Sequence, residues 1–309
     1  MATRPPMALG RTSQLAEIRA EHLVVVGDLH TEAQTLTKVL DSITPVSLKN
    51  GTSKIVLVGD VVSNVNEGDF DNFTRTFGQT AYATSQEYLH DAGQRGYELL
   101  MRIAVLINQY PQNVLMLPGN AELGITTKKA SARFYDYLMA QSKTCPAHGD
   151  SLLKETLGFV NSFPFFVLAS TGPATYLISH GGVAKTAATR TLADLFNFQR
   201  PDFGDTATET EAEERCLKIF KSIVLASNPT LPQLSLPLDG FAGQIFGHIH
   251  LFDSPRQEWQ NLGFTRQTAR GIPVTYATRK NAHVINSLAL SAHSTWLEVI
   301  GDKIELAVS

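Results

Sequence analysis

The sequence predicts an α/β fold in which short buried strands end in glycine and aspartate. Residues 22–26 form an apolar, β-branched run that leads into Gly27-Asp28, and residues 54–58 repeat this pattern before Gly59-Asp60. The segment between them, residues 31–40, has a helical pattern, so the three segments form a βαβ unit. Because the carboxyl ends of strands in an open α/β sheet border one crevice, we expect the groups that follow these strands to meet there.

A polar insertion, further helices and a series of strands are predicted after this unit. The insertion covers residues 63–96 and leads to a helix at 97–109 and a strand at 113–117. Two more helical regions are predicted, one at residues 126–160 and one that begins with the acidic stretch 209–214. Strand patterns then account for the segments 163–169, 174–178, 244–246, 273–278, 284–291, 295–300 and 303–308.

Length and composition indicate a globular protein with one domain. The chain has 309 residues, of which 43% are hydrophobic and 18% charged, so it can bury a large core. No internal repeat or low-complexity linker divides it. We therefore predict a single domain over residues 1–309, with the core at 22–309 and an N-terminal extension at 1–20.

Charge and hydropathy exclude several classes of partner. The net charge of −3 leaves no basic surplus for nucleic acid or anionic membranes. No apolar run approaches the ~18 residues that a membrane span requires, and the N-terminus lacks the apolar run of a cleaved secretory signal. Cys145 and Cys216 form no disulfide framework and no Cys-x5-Arg phosphatase loop. We predict a cytoplasmic protein, and delivery into a host cytosol stays open.

Five short motifs follow predicted strands and carry the chemistry of the chain. They are GDLH at residues 27–30, GDVV at 59–62, GNAE at 119–122, HGG at 180–182 and GHIH at 247–250. They contain seven candidate metal ligands, namely Asp28, His30, Asp60, Asn120, His180, His248 and His250. Carboxylate, imidazole and amide groups suit Mn²⁺, Fe, Zn²⁺ or Mg²⁺, and the lack of thiolate argues against a structural zinc site. The pattern therefore indicates a catalytic metal centre.

This motif set resembles the calcineurin-like metallophosphoesterases, and more narrowly the phosphoprotein phosphatase (PPP) family of serine/threonine phosphatases. The narrower resemblance rests on GNxE, on ISHGG at residues 178–182, and on later segments similar to that family at 199–204 and 225–229. It extends from Leu23 to Leu290. It implies a two-sheet β-sandwich of mixed strands flanked by helices.

The resemblance also implies two adjacent divalent ions, with Mn²⁺ as the first choice. One ion would be held by Asp28, His30 and His250, the other by Asn120, His180 and His248, and Asp60 would bridge them. GHxH belongs to the wider superfamily, since PPP enzymes usually keep only the first of its two histidines. The implied reaction is phosphomonoester hydrolysis by attack of a metal-bound hydroxide on a phosphoprotein, at serine, threonine or tyrosine, or on a small phosphoester.

The chain departs from the PPP pattern on the proton-donor and phosphate-binding side of the implied site. Ala121 stands where that family has the histidine that protonates the leaving group. Ser63 and Asn64 replace the aspartate that orients this histidine and an arginine that grips the phosphate. No obvious arginine follows residues 225–229. We expect Asn120 and Arg200 to contribute to substrate binding, while Arg75 and Arg95 could also reach over the site from the insertion.

Three interpretations of Ala121 stay open. It could be an engineered substitution, a natural residue in an enzyme that uses another acid or a good leaving group, or the mark of a pseudoenzyme. We favour the engineered substitution, because a complete ligand set is difficult to explain in a chain that lost its chemistry. The alternative functions are hydrolysis of a nucleotide or dinucleoside polyphosphate, and phosphoprotein capture by a metal-binding pseudophosphatase.

Overall fold

The computed structural model of the chain describes residues 15–62, 85–119, 121–122, 134, 137–138, 140–141, 146–181, 241–247, 265–269, 272–279, 282–285 and 294–308. Four helices have defined bounds within these ranges: α1 (Ala33–Ser42), α2 (Pro45–Asn50), α3 (Ser85–Gln109) and α4 (Pro146–Asn161). The strands are β1 (Leu15–Arg19), β2 (His22–Val26), β3 (Ser53–Leu57), β4 (Val114–Met116), β5 (Phe166–Thr171), β6 (Ala174–Ser179), β7 (Gly243–Phe246), β8 (Thr265–Ala269), β9 (Ile272–Arg279), β10 (Ala282–Ile285), β11 (Thr295–Ile300) and β12 (Lys303–Val308).

The strands form two mixed sheets, which confirms the predicted fold class. The smaller sheet has the order β12-β11-β2-β3-β4, with β2, β3 and β4 mutually parallel and β11 antiparallel to β2. The larger sheet has the order β1-β5-β6-β7-β10-β9-β8. Within it, β6 runs parallel to β7 and antiparallel to β5. Helices flank this two-sheet sandwich.

The smaller sheet lies in the middle of the molecule and is buried on both faces. Val24 and Ile55 belong to a core cluster shared with the helices, whereas their neighbours Val25 and Val56 belong to a second cluster with Val167 and other residues of the larger sheet. This double burial explains why β2 and β3 read as continuous apolar runs without polar alternation. Among the described residues, no helix is both long and apolar enough to cross a membrane.

Helix α3 begins at Ser85, inside the segment that we predicted to be an insertion over residues 63–96. Gly93 and Gly96 lower the intrinsic helix propensity of that stretch, which is why the predicted start lay at residue 97. Both glycines are buried at close contacts. A Cβ atom at Gly93 would lie 2.7 Å from Cγ of Tyr137, and one at Gly96 would lie 3.3 Å from the Thr31 methyl group. Tertiary packing therefore overrides propensity here.

Three other elements were not predicted. Strand β1 lies in the segment 1–20 that we treated as an extension, and it pairs in parallel with β5 at the edge of the larger sheet. Helix α2 has only six residues, too few to show periodicity, although the Thr44 side chain caps its start and Gly51, with φ of 81°, ends it. Strand β8 pairs with β9. The helix predicted from residues 209–214 lies outside the described residues.

Candidate metal centre

The first two motifs lie side by side at the carboxyl ends of β2 and β3. These strands are parallel neighbours, so GDLH and GDVV leave the sheet at the same edge. The loops are joined by backbone hydrogen bonds. The N–H groups of Leu29 and His30 donate to the carbonyl of Asp60 over 3.1 and 2.8 Å, and that of Thr31 donates to the carbonyl of Val61 over 2.7 Å. Asp28, His30 and Asp60 are thereby brought to one place.

The backbone at this edge is strained. His30, Thr31 and Asp60 have φ angles of 44°, 72° and 47°, in the left-handed region that non-glycine residues rarely adopt. Each such residue costs on the order of 1–3 kcal/mol and persists only where its surroundings determine its conformation. The hydrogen bonds between the two loops provide such surroundings. Strain of this kind is concentrated at functional sites, and here it affects two of the predicted metal ligands.

Asp28, His30 and Asp60 form a group with the chemistry of a cation site. One potential ligand atom from each residue lies within 4.8 Å of those of the other two. His30 Nε2 is 3.9 Å from Asp60 Oδ2, and both carboxylates are fully or almost fully buried. Two ligand atoms that bind one ion at ~2.1 Å lie at most ~4.2 Å apart, so this spacing fits a shared ion. Two buried carboxylates this close repel each other, and a divalent cation would remove that cost.

His180 follows β6 in the larger sheet and approaches Asp60 from that side. Its Nδ1 atom is 2.8 Å from the carbonyl oxygen of Val58. Since a carbonyl can only accept, Nδ1 carries the proton and the lone pair of the neutral ring is on Nε2. Nε2 lies 3.7 Å from Asp60 Oδ1. The 3.8 Å approach of Nδ1 to Asp28 Oδ1 is secondary, because Nδ1 is committed to Val58.

The two oxygens of Asp60 therefore face different histidines. Oδ2 is directed to His30 and Oδ1 to His180, at separations that would each accommodate one ion between nitrogen and oxygen. Burial raises the pKa of Asp60 to about 7, against the opposing effect of a hydrogen bond from the Ala121 N–H. A bound divalent cation would favour the ionised form of this carboxylate.

Residues of the GNAE motif contact Asp60 directly. The Ala121 N–H donates to Asp60 Oδ1 over 2.8 Å, and the Ala121 side chain is fully buried in the core cluster shared with the helices. The Glu122 carboxylate accepts hydrogen bonds from the backbone N–H groups of Asp60, Val62 and Gly119. Burial, followed by the charge of Asp60, raises the pKa of Glu122 to about 7, while these three donors oppose the shift.

The role of Glu122 was not anticipated from the sequence, where it served only to mark the motif. A charged residue next to an apolar strand could have indicated a buried acceptor, but two of its three donors are 60 and 62 residues away along the chain. The structure also shows why the last motif, GHIH, begins with glycine. A Cβ atom at Gly247 would collide with Asp28 Oδ1, and the Gly247 N–H donates to the His180 carbonyl over 2.9 Å.

Several predicted site residues lie outside the described residues. These are Asn120, His248, His250 and Arg200, together with Ser63, Asn64 and Arg75. Arg95 is described, and it lies on α3 as a half-exposed side chain that pairs with Asp91 over 2.8 Å. The described geometry thus brings together Asp28, His30, Asp60 and His180, and it adds Ala121 through its backbone.

Carboxylates and imidazoles gathered at strand ends in a two-sheet sandwich define a metal-binding α/β protein of the kind that supports hydrolysis. The family comparison makes this class specific. The chain belongs to the calcineurin-like phosphoesterase family, which it matches over residues 22–252. That family uses divalent metals, so a metal-dependent phosphoesterase is the class to which this chain belongs.

Solved structures support the same fold. The chain is similar to a cold-active protein-tyrosine phosphatase from a psychrophilic Shewanella species, with a TM-score of 0.59, 14% identity, and coverage of 97% of this chain and 83% of that one. It is also similar to a protein serine/threonine phosphatase from Saccharomyces cerevisiae that resembles human phosphatase PP5. There the TM-score is 0.54, the identity 11%, and the coverage 96% and 83%. No curated protein matches the sequence.

Proposed function

We propose that this chain is a dinuclear metal-dependent phosphatase that hydrolyses phosphomonoesters of phosphoproteins, at serine, threonine or tyrosine. The observation that carries the proposal is the position of Asp60. Each of its carboxylate oxygens faces a different histidine, His30 or His180, at 3.9 and 3.7 Å. A carboxylate in this arrangement can bridge two ions, whereas a site for one ion would need only one of these oxygens.

We assign the ligands from the family resemblance and the order of the motifs, and the described positions of Asp28, His30, Asp60 and His180 support this assignment. Asp28, His30 and His250 would hold one ion, and Asn120, His180 and His248 the other, with Mn²⁺ as the proposed metal. When bound, two such ions activate a shared water molecule and stabilise the entering and leaving oxygens of an in-line displacement. The Val58 carbonyl fixes the tautomer of His180, so that Nε2 carries the lone pair with which this histidine would bind an ion.

Phosphoprotein substrates are supported by the comparison structures, which include phosphatases of both tyrosine and serine/threonine type. The test is turnover of phosphopeptides and of a nucleotide panel by the Mn²⁺-loaded protein. Preferential hydrolysis of phosphopeptides would support the proposal. Preferential hydrolysis of nucleotides or dinucleoside polyphosphates would contradict the proposed substrate class but not the proposed metal-dependent hydrolysis. Phosphopeptide binding without any turnover would identify a pseudophosphatase.

Leaving-group protonation is the step that Ala121 cannot perform, because its side chain has no proton to donate. We expect Ala121→His to raise the turnover of an aryl phosphate with Mn²⁺ by at least an order of magnitude, since a general acid contributes about 10²–10⁴-fold. Ala121 is fully buried, so the larger side chain must find room at a cost of about 1–3 kcal/mol. A thermal unfolding scan therefore accompanies the assay. A folded variant with unchanged turnover would contradict the acid role of this position.

A further inference from the structure

Glu122 links the loop after β3, which carries Asp60, to the loop after β4, which carries Gly119. Its Oε2 atom accepts hydrogen bonds from the N–H groups of Asp60 at 2.9 Å and Gly119 at 2.8 Å, and its Oε1 atom accepts one from Val62 at 2.9 Å. The residue is fully buried. One carboxylate therefore satisfies three backbone donors, two from the loop after β3 and one from the loop after β4.

Asp60 is held by this segment at both its main chain and its side chain. Its N–H donates to Glu122, and its Oδ1 accepts from the N–H of Ala121, the adjacent residue. Asp60 has a φ of 47°, in the left-handed region that costs a non-glycine residue energy and is kept where the surroundings hold it. The two hydrogen bonds act on opposite ends of this residue, so they determine both its backbone conformation and the orientation of its carboxylate.

We infer that Glu122 is a positioning residue that directs the two oxygens of Asp60 towards His30 and His180, and thereby sets the affinity of the centre for divalent cations. The inference rests on the proposed dinuclear function. Groups that orient metal ligands from behind typically change metal affinity by about 10–100-fold when they are removed. Glu122 is well placed for such an effect, because it contacts the main chain of the one ligand that both ions would share.

The length and the charge of the Glu122 side chain contribute differently to the positioning of Asp60, and two substitutions separate these contributions. Glu122→Gln keeps the length of the side chain, so its amide oxygen can still accept from Asp60 and Gly119 while the bond from Val62 is lost. Glu122→Asp keeps the charge but is one methylene shorter, so it cannot reach all three donors without a backbone shift. Positioning predicts that the glutamine variant binds metal more tightly than the aspartate variant. An effect of the charge alone predicts the reverse order.

The experiment measures Mn²⁺ binding by calorimetry for the full chain after chelator treatment, together with thermal unfolding of each metal-free protein. Thr156→Val serves as the matched control, because it removes a buried hydrogen bond to the Leu152 carbonyl that lies within α4 and involves neither loop. We expect Glu122→Gln to weaken Mn²⁺ binding about 10-fold and Glu122→Asp about 100-fold. The control is expected to lose stability without a change in Mn²⁺ affinity.

The outcomes separate this inference from the proposed function. Wild-type protein that binds fewer than two Mn²⁺ ions per chain would overturn both. Wild-type protein that binds two ions, with an unchanged dissociation constant in Glu122→Gln, would overturn the role of Glu122 alone. Tighter Mn²⁺ binding by Glu122→Asp than by Glu122→Gln would also overturn the positioning role of Glu122, in favour of an effect of its charge. If the aspartate variant does not fold, the comparison of wild type, Glu122→Gln and Thr156→Val still decides the question.

Discussion

Gly119 is expected to be intolerant of even a single added methyl group. A Cβ atom built at Gly119 would lie 2.8 Å from Cγ of Asp60 and would collide with both Oδ1 and the backbone nitrogen of that residue. Because a backbone atom is involved, rotation of the Asp60 side chain cannot relieve the contact. Gly119→Ala must therefore move either the loop after β3, which carries Asp60, or the loop after β4, which carries Gly119.

The size of the effect follows from the distances. Carbon atoms in ordinary contact lie about 3.5–4.0 Å apart, so the 2.8 Å approach to Cγ requires Asp60 to move by about 1 Å. Overpacking of this kind costs about 1–3 kcal/mol of stability. A displacement of about 1 Å in a catalytic group can reduce the rate about 10²-fold. We expect Gly119→Ala to lose metal affinity and turnover in addition to stability.

Gly301→Ala is the matched control for this prediction. Gly301 has a φ of 62°, so alanine there is strained by about 1–2 kcal/mol, but no atom lies within 4 Å of the added Cβ position. It follows β11, at the end of the sheet opposite the metal centre. Mn²⁺ binding and aryl phosphate turnover are measured for both variants at a temperature where both are folded. Equal metal affinity and turnover in the two variants would refute the argument that Gly119 places Asp60.

Two further changes test the proposed bridging role of Asp60 and the state of a buried histidine. Asp60→Asn is expected to bind fewer than two Mn²⁺ ions by calorimetry, because it removes the negative charge that the two ions would share. Asp302→Asn, at an exposed position, is the control. Binding of two ions by Asp60→Asn would contradict the proposed bridging role of Asp60. Burial lowers the pKa of His283 from 6.5 to about 4. Between pH 6.5 and about 4 the unfolded chain binds a proton at His283 that the folded chain does not. The free energy of unfolding therefore decreases as the pH falls through this range, by at most about 1.4 kcal/mol per pH unit. Denaturant titrations between these pH values should show a weaker acid dependence for His283→Gln than for wild type, and identical slopes would contradict the buried, neutral state of this histidine.

The order of motifs and the strands that precede them could be predicted from the sequence because both depend on local composition. Continuous β-branched runs indicate buried parallel strands, and β2 and β3 lie at the predicted positions. The carboxyl ends of parallel neighbours must share an edge, so the proximity of Asp28 and Asp60 followed from topology. Prediction from local composition placed the start of α3 too late, because Gly93 and Gly96 lie within this helix at closely packed positions.

Long-range contacts determined the rest of the candidate site. Two of the three donors to Glu122, and the carbonyl that selects the tautomer of His180, come from distant loops brought together by the sheets. Val58 is 122 residues from His180, and no local pattern records such a pairing. The left-handed backbone at His30 and Asp60 could not be read from the sequence either, because these residue types permit this conformation but adopt it in only a minority of cases.

The sequence by itself determined which candidate ligand types this chain has and the strand ends at which they occur, because both follow from residue chemistry and hydrophobic pattern. Only the tertiary structure decided how Asp60 is oriented. The Asp60 N–H donates to Glu122, Asp60 Oδ1 accepts from the Ala121 N–H, and the two carboxylate oxygens face His30 and His180. These contacts join residues of separate loops, so the orientation of Asp60 depends on how the strands and sheets pack together.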